Sequence, residues 1–357
     1  MSSLKVGAPS VKSGKDKNSQ PIPSLNGLRA ISVALVLLGH LSQTRGIGSI
    51  DLYIGDYAAF GVNVFFVISG FLITTLMMVE HSQTGAVSLP LFYARRSLRI
   101  FPVSYAYIAC IYFLDVLGFL HLQPKEFWHA STYTVNFAPG MSWPLAHLWS
   151  LSVEEQFYLL WPFAFVSLGA RRAIWIAAGV VAVRPLARIV SRVFLLGTDY
   201  RDLHMFPMVA DSLAMGCLLA QTRKWLESQA WYLGLFRAAY SLPLLALILV
   251  TNRFLGYTVV SVFGTVLMNL CIAILIHRSV LRSTDLVGRF LNWKPVTVIG
   301  LLSYSLYVWQ QLFINRNSSA WMCAFPQNFA FTIMAACASY FLLEMPIQAY
   351  RHRLRVT

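Results

Sequence analysis

One apolar segment near the N-terminus carries an arginine and a histidine and no other charged or titratable side chain. In "GLRAISVALVLLGHL", residues 27–41, Arg29 and His40 are eleven positions apart. On an α-helix this spacing places both side chains within roughly 20° of one face and ~16 Å apart along the axis. They cannot bond to each other, so a strong hydrogen-bond donor and a titratable base must serve different groups. Structural roles remain open: Arg29 as an interface anchor and His40 as a core histidine bonded to another helix.

A second stretch, "LPLFYARRSLRIFPVSYAY", contains a compact cationic cluster of Arg95, Arg96 and Arg99. Guanidinium groups bind phosphate through bidentate hydrogen bonds, which a lysine ammonium cannot reproduce. The alternative is the general excess of basic residues on the cytoplasmic side of membrane proteins.

A third stretch, "HLWSLSVEEQFYLLWP" at residues 147–162, places Glu154 and Glu155 in a run that should enter a bilayer. A charged side chain there costs at least ~2.5–3.5 kcal/mol on insertion scales, so such residues usually mark function. Adjacent helical positions point about 100° apart, so one carboxylate can face a given site. The structural alternative is a partner for Arg184 or Arg188.

The elements that position these residues must be membrane helices. The chain is 57% hydrophobic and 12% charged with a mean hydropathy of +0.61, whereas soluble domains carry about a quarter charged residues. A bilayer core needs roughly 20 mostly apolar residues per helix. We therefore expect an all-α, polytopic membrane protein with about ten transmembrane helices. The predicted spans are 27–44, 57–79, 101–120, 148–168, 173–195, 205–221, 236–251, 257–276, 296–314 and 326–346.

The charge distribution predicts the orientation of these helices. A net charge of +14 would suggest nucleic acid in a soluble protein. Here most Lys and Arg residues fall in alternate loops, which is typical of cytoplasmic loops and places both termini in the cytoplasm. We therefore expect the lipid bilayer, and no nucleic acid, as a partner. The predicted organisation is a disordered cytoplasmic tail at 1–22, one transmembrane domain at 23–350 and a short basic tail at 351–357.

Several other classes of function lack their sequence patterns. The five cysteines show no CxxC spacing, and no HExxH or Cys/His ligand pattern occurs, so we expect no metal site. The GxxxxGK[ST] loop of ATP-driven pumps and the GxSxG nucleophile elbow are also absent from the sequence. We expect no bound cofactor.

Taken together, the segments resemble the acyltransferase-3 family of integral membrane O-acyltransferases, which modify bacterial carbohydrates and related molecules. The resemblance runs in the family's order from Pro23 to Arg355. It is carried by "LNGLRA" with its histidine, "FFVISGFLIT", "FYARRSLRIFP", "LWSLSVEEQFYLLWP", "ADSLAMGCLLA", "SYSLYVW" and "LLEMPI". Each segment is a weak signal, whereas seven in sequence are specific.

The resemblance implies an enzyme of the bacterial cytoplasmic membrane. It would take an acyl group, by default acetyl, from cytoplasmic acyl-CoA and transfer it to a hydroxyl of an extracytoplasmic carbohydrate or similar acceptor. The donor would be held by Arg29 together with Arg95, Arg96 and Arg99, beside Ser69 and Gly70. The acyl thioester would then meet His40, whose neutral imidazole can accept the proton of the acceptor hydroxyl. Glu154 or Glu155 would orient the imidazole or bind the acceptor.

Further residues are predicted to be structural or to lie on the acceptor side. We expect an ion pair between Arg184 and Asp211. From the motifs near the C-terminus we add Tyr304, Trp309, Gln310 and Glu344.

The longest predicted outer loop, 122–147, also offers groups on the acceptor side. Its aromatic residues Trp128, Tyr133, Phe137 and Trp143 would stack on a sugar or form an interface belt. Its His129 and His147 are expected to be exposed.

Two departures from the family pattern bear on the mechanism. Many relatives carry a histidine after the tryptophan of "SLYVW", where this chain has Gln310 and Gln311, and an amide cannot exchange a proton at neutral pH. Some relatives add an extracytoplasmic hydrolase-like domain. The short C-terminal segment predicts that this chain acts alone or with a separate envelope partner protein.

Two other classes of function stay open. In a transporter or flippase, Arg184, Asp211, Glu154 and His40 would form a polar path between helices. A relative without catalytic activity would serve as a sensor or a scaffold in the cell envelope.

Overall fold

The computed structural model describes residues 22, 24–42, 44–47, 55–194, 204–236 and 263–353. The described chain is helical and contains no strand, which confirms the predicted all-α class. The longer helices are α1 (Leu25–Leu41), α2 (Gly55–Thr84), α3 (Leu89–Val116), α4 (Pro124–Ser131), α6 (Trp149–Leu168), α7 (Ala170–Phe194), α8 (Phe206–Glu227), α10 (Thr265–Leu281), α12 (Lys294–Phe313), α13 (Gln327–Ser339) and α14 (Met345–Arg353). Shorter helices are α5 (Trp143–Ala146), α9 (Ala230–Gly234) and α11 (Leu286–Leu291). A π-helical turn, Tyr340–Glu344, joins α13 to α14.

Within the described residues, five helical segments are long and apolar enough to cross a bilayer. They are Tyr57–Thr84, Leu89–Val116, Ala170–Val190, Lys294–Phe313 and Gln327–Tyr350, and α1 and α10 are shorter apolar helices. The protein is therefore a multi-pass membrane protein. Every predicted span in the described residues overlaps a helix, but the number of about ten spans and the side of the termini stay predictions.

The predicted span 236–251 lies almost entirely outside the described residues, as does the predicted tail 1–22. Helix α14 continues to Arg353, beyond the predicted domain boundary at residue 350.

Helix α6 shows how the chain separates lipid from protein. Leu159, Leu160 and Phe163 expose 54–61% of their surface on one side. Ser150 and Tyr158, which are eight residues apart, are buried on the other. The helix ends at Gly169, whose φ of 77° suits a residue without a side chain. A surface this apolar fits lipid contact, whereas the polar groups of α6 must face the bundle.

Close helix crossings hold the centre of the bundle together. A Cβ on Gly70 of α2 would lie 2.0 Å from the Leu213 carbonyl oxygen, and one on Gly216 of α8 would lie 2.1 Å from that of Val67. Small residues let membrane helices approach closely, and dispersion then stabilises the contact. Gly70 was predicted to bind the donor. Its place at the α2–α8 contact instead assigns it to helix packing.

We predict that Gly216→Ala destabilises the protein, because the added methyl group would meet backbone that cannot move alone. Overpacking of this kind typically costs about 1–3 kcal/mol. The thermal unfolding midpoint of purified protein in detergent measures the effect. Gly179→Ala on α7 is the control, since a Cβ there meets nothing within 4 Å. Equal midpoints for the two variants would contradict the packing role of Gly216.

Candidate active site

Two adjoining cavities lie inside the bundle, one lined by His40 and the other by Arg29. The His40 cavity has a volume of about 490 Å³ and is also lined by Trp143 and His147. The Arg29 cavity is smaller, about 80 Å³, and is also lined by Arg99 and Glu154. Arg29 and His40 thus serve separate compartments.

Four of the described helices line both cavities, and their chain directions agree on the order of the two cavities. On α1 and α12 the residue numbers rise from the Arg29 cavity to the His40 cavity, whereas on α2 and α6 they fall. The residues on the Arg29 side are Arg29; Phe65, Phe66 and Ser69; Ser150, Leu151, Glu154 and Tyr158; Ser303 and Tyr304. Those on the His40 side are Val36, Gly39 and His40; Ala58 and Ala59; Trp149; Gln311. The cavities therefore follow one another along the bundle axis.

Two described residues, Val62 of α2 and Tyr307 of α12, line both cavities. The Tyr307 hydroxyl donates to the His147 carbonyl oxygen at 3.0 Å and bonds to the Ser150 hydroxyl at 2.6 Å. Its ring meets Phe65 edge-on, with centroids 6.4 Å apart. Tyr307 is thus held in the boundary between the compartments.

The Arg29 cavity combines cations with one hydrogen-bonded carboxylate. Ser69 donates to Glu154 Oε1 at 2.7 Å, and the Tyr158 hydroxyl donates to Ser69 at 3.2 Å. Arg29 and Arg99 both interact electrostatically with Glu154. Two guanidinium groups face one carboxylate at this end, so the cavity suits an anion.

The three arginines predicted as one cluster separate in the structure. The Arg96 guanidinium lies 4.7 Å from the centre of the Tyr158 ring and interacts electrostatically with Glu154, so it borders the Arg29 cavity. Arg95 instead forms an ion pair with Glu80 at 3.0 Å and does not line the cavity. Adjacent helical positions diverge by about 100°, so Arg95 and Arg96 meet different partners.

The His40 imidazole is oriented by an amide. Gln310 Oε1 lies 3.0 Å from His40 Nδ1. With the amide in this orientation its oxygen accepts from Nδ1–H, and in the neutral ring Nε2 then keeps its lone pair. The Trp143 ring packs edge-on at 5.6 Å and restricts the imidazole further. Glu154, one of the two carboxylates predicted to orient His40, belongs to the other cavity, and Gln310 takes the orienting position.

His147 was predicted only as an exposed residue of the outer loop, and the structure brings it into the site. It was expected to be exposed, but 2% of its surface is accessible, and it lines the His40 cavity. Its Nε2 bonds to the Val308 carbonyl oxygen at 2.9 Å. Burial lowers its pKa to about 3, so the ring is neutral at physiological pH. Its position directly before the "LWSLSVEEQ" segment was the available signal.

The loop predicted to contact a sugar is partly buried and partly exposed at the edge of the His40 cavity. Tyr133 is buried and stacks on Phe101, so it is not available to an acceptor. Phe137 lines the His40 cavity and is 50% exposed, whereas Trp128 is exposed but does not line it. The Arg316 guanidinium lies 4.6 Å from the centre of the Trp143 ring at the same cavity.

The predicted Arg184–Asp211 ion pair is confirmed, with Arg184 Nε 3.7 Å from Asp211 Oδ2. Asn269 donates to the same carboxylate oxygen at 2.9 Å and also to Ser212. This network joins α7, α8 and α10 and lines neither cavity. In the described part of the chain, the polar path expected of a transporter is thus not continuous.

The remaining predicted residues have mainly structural contacts. Tyr304 lines the Arg29 cavity and donates to the Ile100 carbonyl oxygen at 2.6 Å. Trp309 packs edge-on against Tyr107. Glu344 accepts from Ser305. Glu155 lines neither cavity and interacts electrostatically with Glu154 and Arg96.

Comparison with known proteins gives the family. The family model described as an acyltransferase domain, acyltransferase 3, matches residues 22–344. The chain is 28% identical to the O-acetyltransferase OatA of Staphylococcus aureus, over 92% of this chain and 57% of that protein. It is 26% identical to the peptidoglycan O-acetyltransferase OatA of Listeria monocytogenes, over 92% of this chain and 56% of that protein.

The chain thus spans little more than half the length of these curated relatives. No solved structure matches it. Because the match covers most of the sequence and both cavities, the chain belongs to the acyltransferase-3 family.

Proposed function

We propose that the protein is a membrane O-acetyltransferase that moves an acetyl group from acyl-CoA to a hydroxyl of a cell-wall polymer or related envelope carbohydrate. One observation carries the proposal. An arginine-lined cavity and a cavity with an oriented imidazole adjoin along the bundle axis.

The donor would enter at the Arg29 end. Coenzyme A carries phosphates at one end and its thioester at the other, on a long flexible arm. Arg29 and Arg99, with Arg96 beside them, supply guanidinium groups that suit the phosphates. The ~16 Å between Arg29 and His40 along α1 is the distance that the arm must cover. The basic loops expected at this end favour a cytoplasmic entrance.

The reaction would follow from the His40 tautomer. Nε2 accepts the proton of the acceptor hydroxyl while the hydroxyl oxygen forms a bond to the thioester carbonyl carbon. The carbon–sulfur bond then breaks, the ester remains on the acceptor, and the imidazolium returns its proton to the leaving thiolate. Gln310 Oε1 accepts the hydrogen bond from Nδ1–H throughout and keeps the ring in place. One imidazole thus serves as both base and acid.

The acceptor would bind on the His40 side. A volume of about 490 Å³ is within the usual range for ligand sites. Trp143 and Phe137 offer apolar surface, and the amide of Gln311 offers hydrogen bonds. The names of both relatives, O-acetyltransferases with a peptidoglycan acceptor in one case, favour a saccharide of the cell wall.

We predict that His40→Ala abolishes acetyl transfer while the protein stays folded in the membrane. Loss of a general base typically lowers the rate 10²–10⁴-fold. The measurement is the release of thiol from acetyl-CoA, with and without peptidoglycan fragments, by purified protein. His81→Ala, at an exposed position near the end of α2, is the matched control. Normal turnover by His40→Ala at equal expression would remove His40 from the mechanism, and a transporter or scaffold would show no turnover in either protein.

Gln310→Leu should lower kcat roughly tenfold, because removal of one hydrogen bond to the base costs on the order of 1 kcal/mol. The KM for acetyl-CoA should not change, since Gln310 lies on the acceptor side. Steady-state kinetics at saturating donor separate the two constants. An unchanged kcat would show that Gln310 does not position His40.

Arg29→Ala should raise the KM for acetyl-CoA by roughly 10- to 100-fold, since a hydrogen bond to a charged group contributes about 1.5–3 kcal/mol. Arg95→Ala is the matched control, because Arg95 is paired with Glu80 outside the cavity. We expect its KM to stay near the wild-type value. Equal effects of the two substitutions would contradict the separation of the arginines seen in the structure.

A further inference from the structure

We propose that Tyr307 is the gate between the two cavities, and that the donor thioester must displace its ring to reach His40. The inference rests on the proposed function for the identity of the ligand that opens the gate. The place of Tyr307 between the two cavities is a property of the described structure, and the closure can be tested separately.

Tyr307 lies at the boundary between the two cavities. Among the described residues, only Tyr307 and Val62 line both cavities, and both are largely buried. Along α12, Tyr304 lines the Arg29 cavity and Gln311 the His40 cavity, with Tyr307 on the same helical face between them. The aromatic ring is the larger of the two boundary groups.

The Tyr307 ring is restrained. Its hydroxyl bonds to the Ser150 hydroxyl in the first turn of α6 and to the carbonyl oxygen of His147, just before that helix. Phe65 packs against the ring from α2, and the His147 imidazole lies 5.6 Å away, centroid to centroid. Contacts with α2 and with the start of α6 therefore hold the side chain of an α12 residue across the boundary.

The two sides of the Tyr307 ring differ in chemistry. Arg29, Arg99 and Glu154 line the Arg29 cavity, and the His40 imidazole lines the other cavity. The thioester carbonyl carbon must come within about 3–3.5 Å of the attacking oxygen for transfer. A donor anchored by Arg29 can meet this condition only beyond the boundary, so the ring must move. When no donor is bound, the closed ring separates water on the acceptor side from the polar groups on the donor side.

The direct test of the gate is to open a continuous path between the two cavities and to measure access through it. Ser69→Cys places a thiol in the Arg29 cavity, and a membrane-impermeant maleimide is added to intact cells or spheroplasts from the His40 side. Phe137→Cys, in the exposed rim of the His40 cavity, verifies access from that side. The native cysteines provide the background, measured in protein without the added thiol.

With Tyr307 present we expect slow labelling of Ser69→Cys. With Tyr307→Ala we expect labelling roughly tenfold faster, since the ring and its two hydrogen bonds are lost together. Tyr307→Phe, which keeps the ring, should remain slower than Tyr307→Ala. Val62→Ala opens the other half of the boundary and should also accelerate labelling, which keeps the test valid if Tyr307→Ala does not fold. Tyr232→Ala, a buried tyrosine in α9 away from both cavities, controls for general loosening.

Labelling in the Tyr307→Ala and Val62→Ala proteins no faster than in the Tyr232→Ala control would overturn the gate. This readout requires no acetyl transfer, so the gate and the proposed function can fail independently. In folded Tyr307→Ala protein that transfers acetyl groups, we also expect a higher ratio of acetyl-CoA hydrolysis to transfer. Water then attacks the thioester carbonyl and releases acetate and the coenzyme A thiol. An unchanged ratio, when wild-type protein is active, would count against the gate.

Discussion

Charged groups inside a lipid-facing helical bundle must be satisfied by the protein or by a ligand, and this constraint organises the structure. Asp211 is paired with Arg184 and accepts a hydrogen bond from Asn269, and Glu344 accepts one from Ser305. The group around the Arg29 cavity is different. Arg29, Arg96 and Arg99 all interact with Glu154, which is itself bonded to Ser69, while Arg96 also interacts with Glu155 and Arg99 with Glu344. The lining of the cavity has two guanidinium groups, of Arg29 and Arg99, and one carboxylate, of Glu154. An anionic ligand would balance this excess of positive charge.

Helical periodicity predicted part of this arrangement from sequence. The spacing of Arg29 and His40 placed them on one side of α1, and the structure puts them in successive cavities. The Arg184–Asp211 pair could be predicted because a buried arginine on one span requires an acid on a neighbouring one. The apolar character of the chain also gave the helical class.

Contacts between distant segments could not be predicted in the same way. Gln310 lies 270 residues from His40 in sequence, and no local pattern specifies that their helices are neighbours. Arg95 and Arg96 are identical in type and adjacent, so only the positions of Glu80 and Tyr158 decide that Arg95 forms an ion pair and that Arg96 packs on a ring beside the Arg29 cavity. Gly70 and Ser69 diverge for the same reason, one toward α8 and the other toward the Arg29 cavity.

A structure with a non-hydrolysable acetyl-CoA analogue bound would test the central claim most directly. We predict that the phosphates of the analogue contact Arg29 and Arg99 and that the Tyr307 ring is displaced. The acyl carbonyl carbon should lie within about 4 Å of His40 Nε2, close to near-attack distance. Phosphates bound elsewhere, or an acyl group that ends away from His40 with Tyr307 still in place, would contradict it.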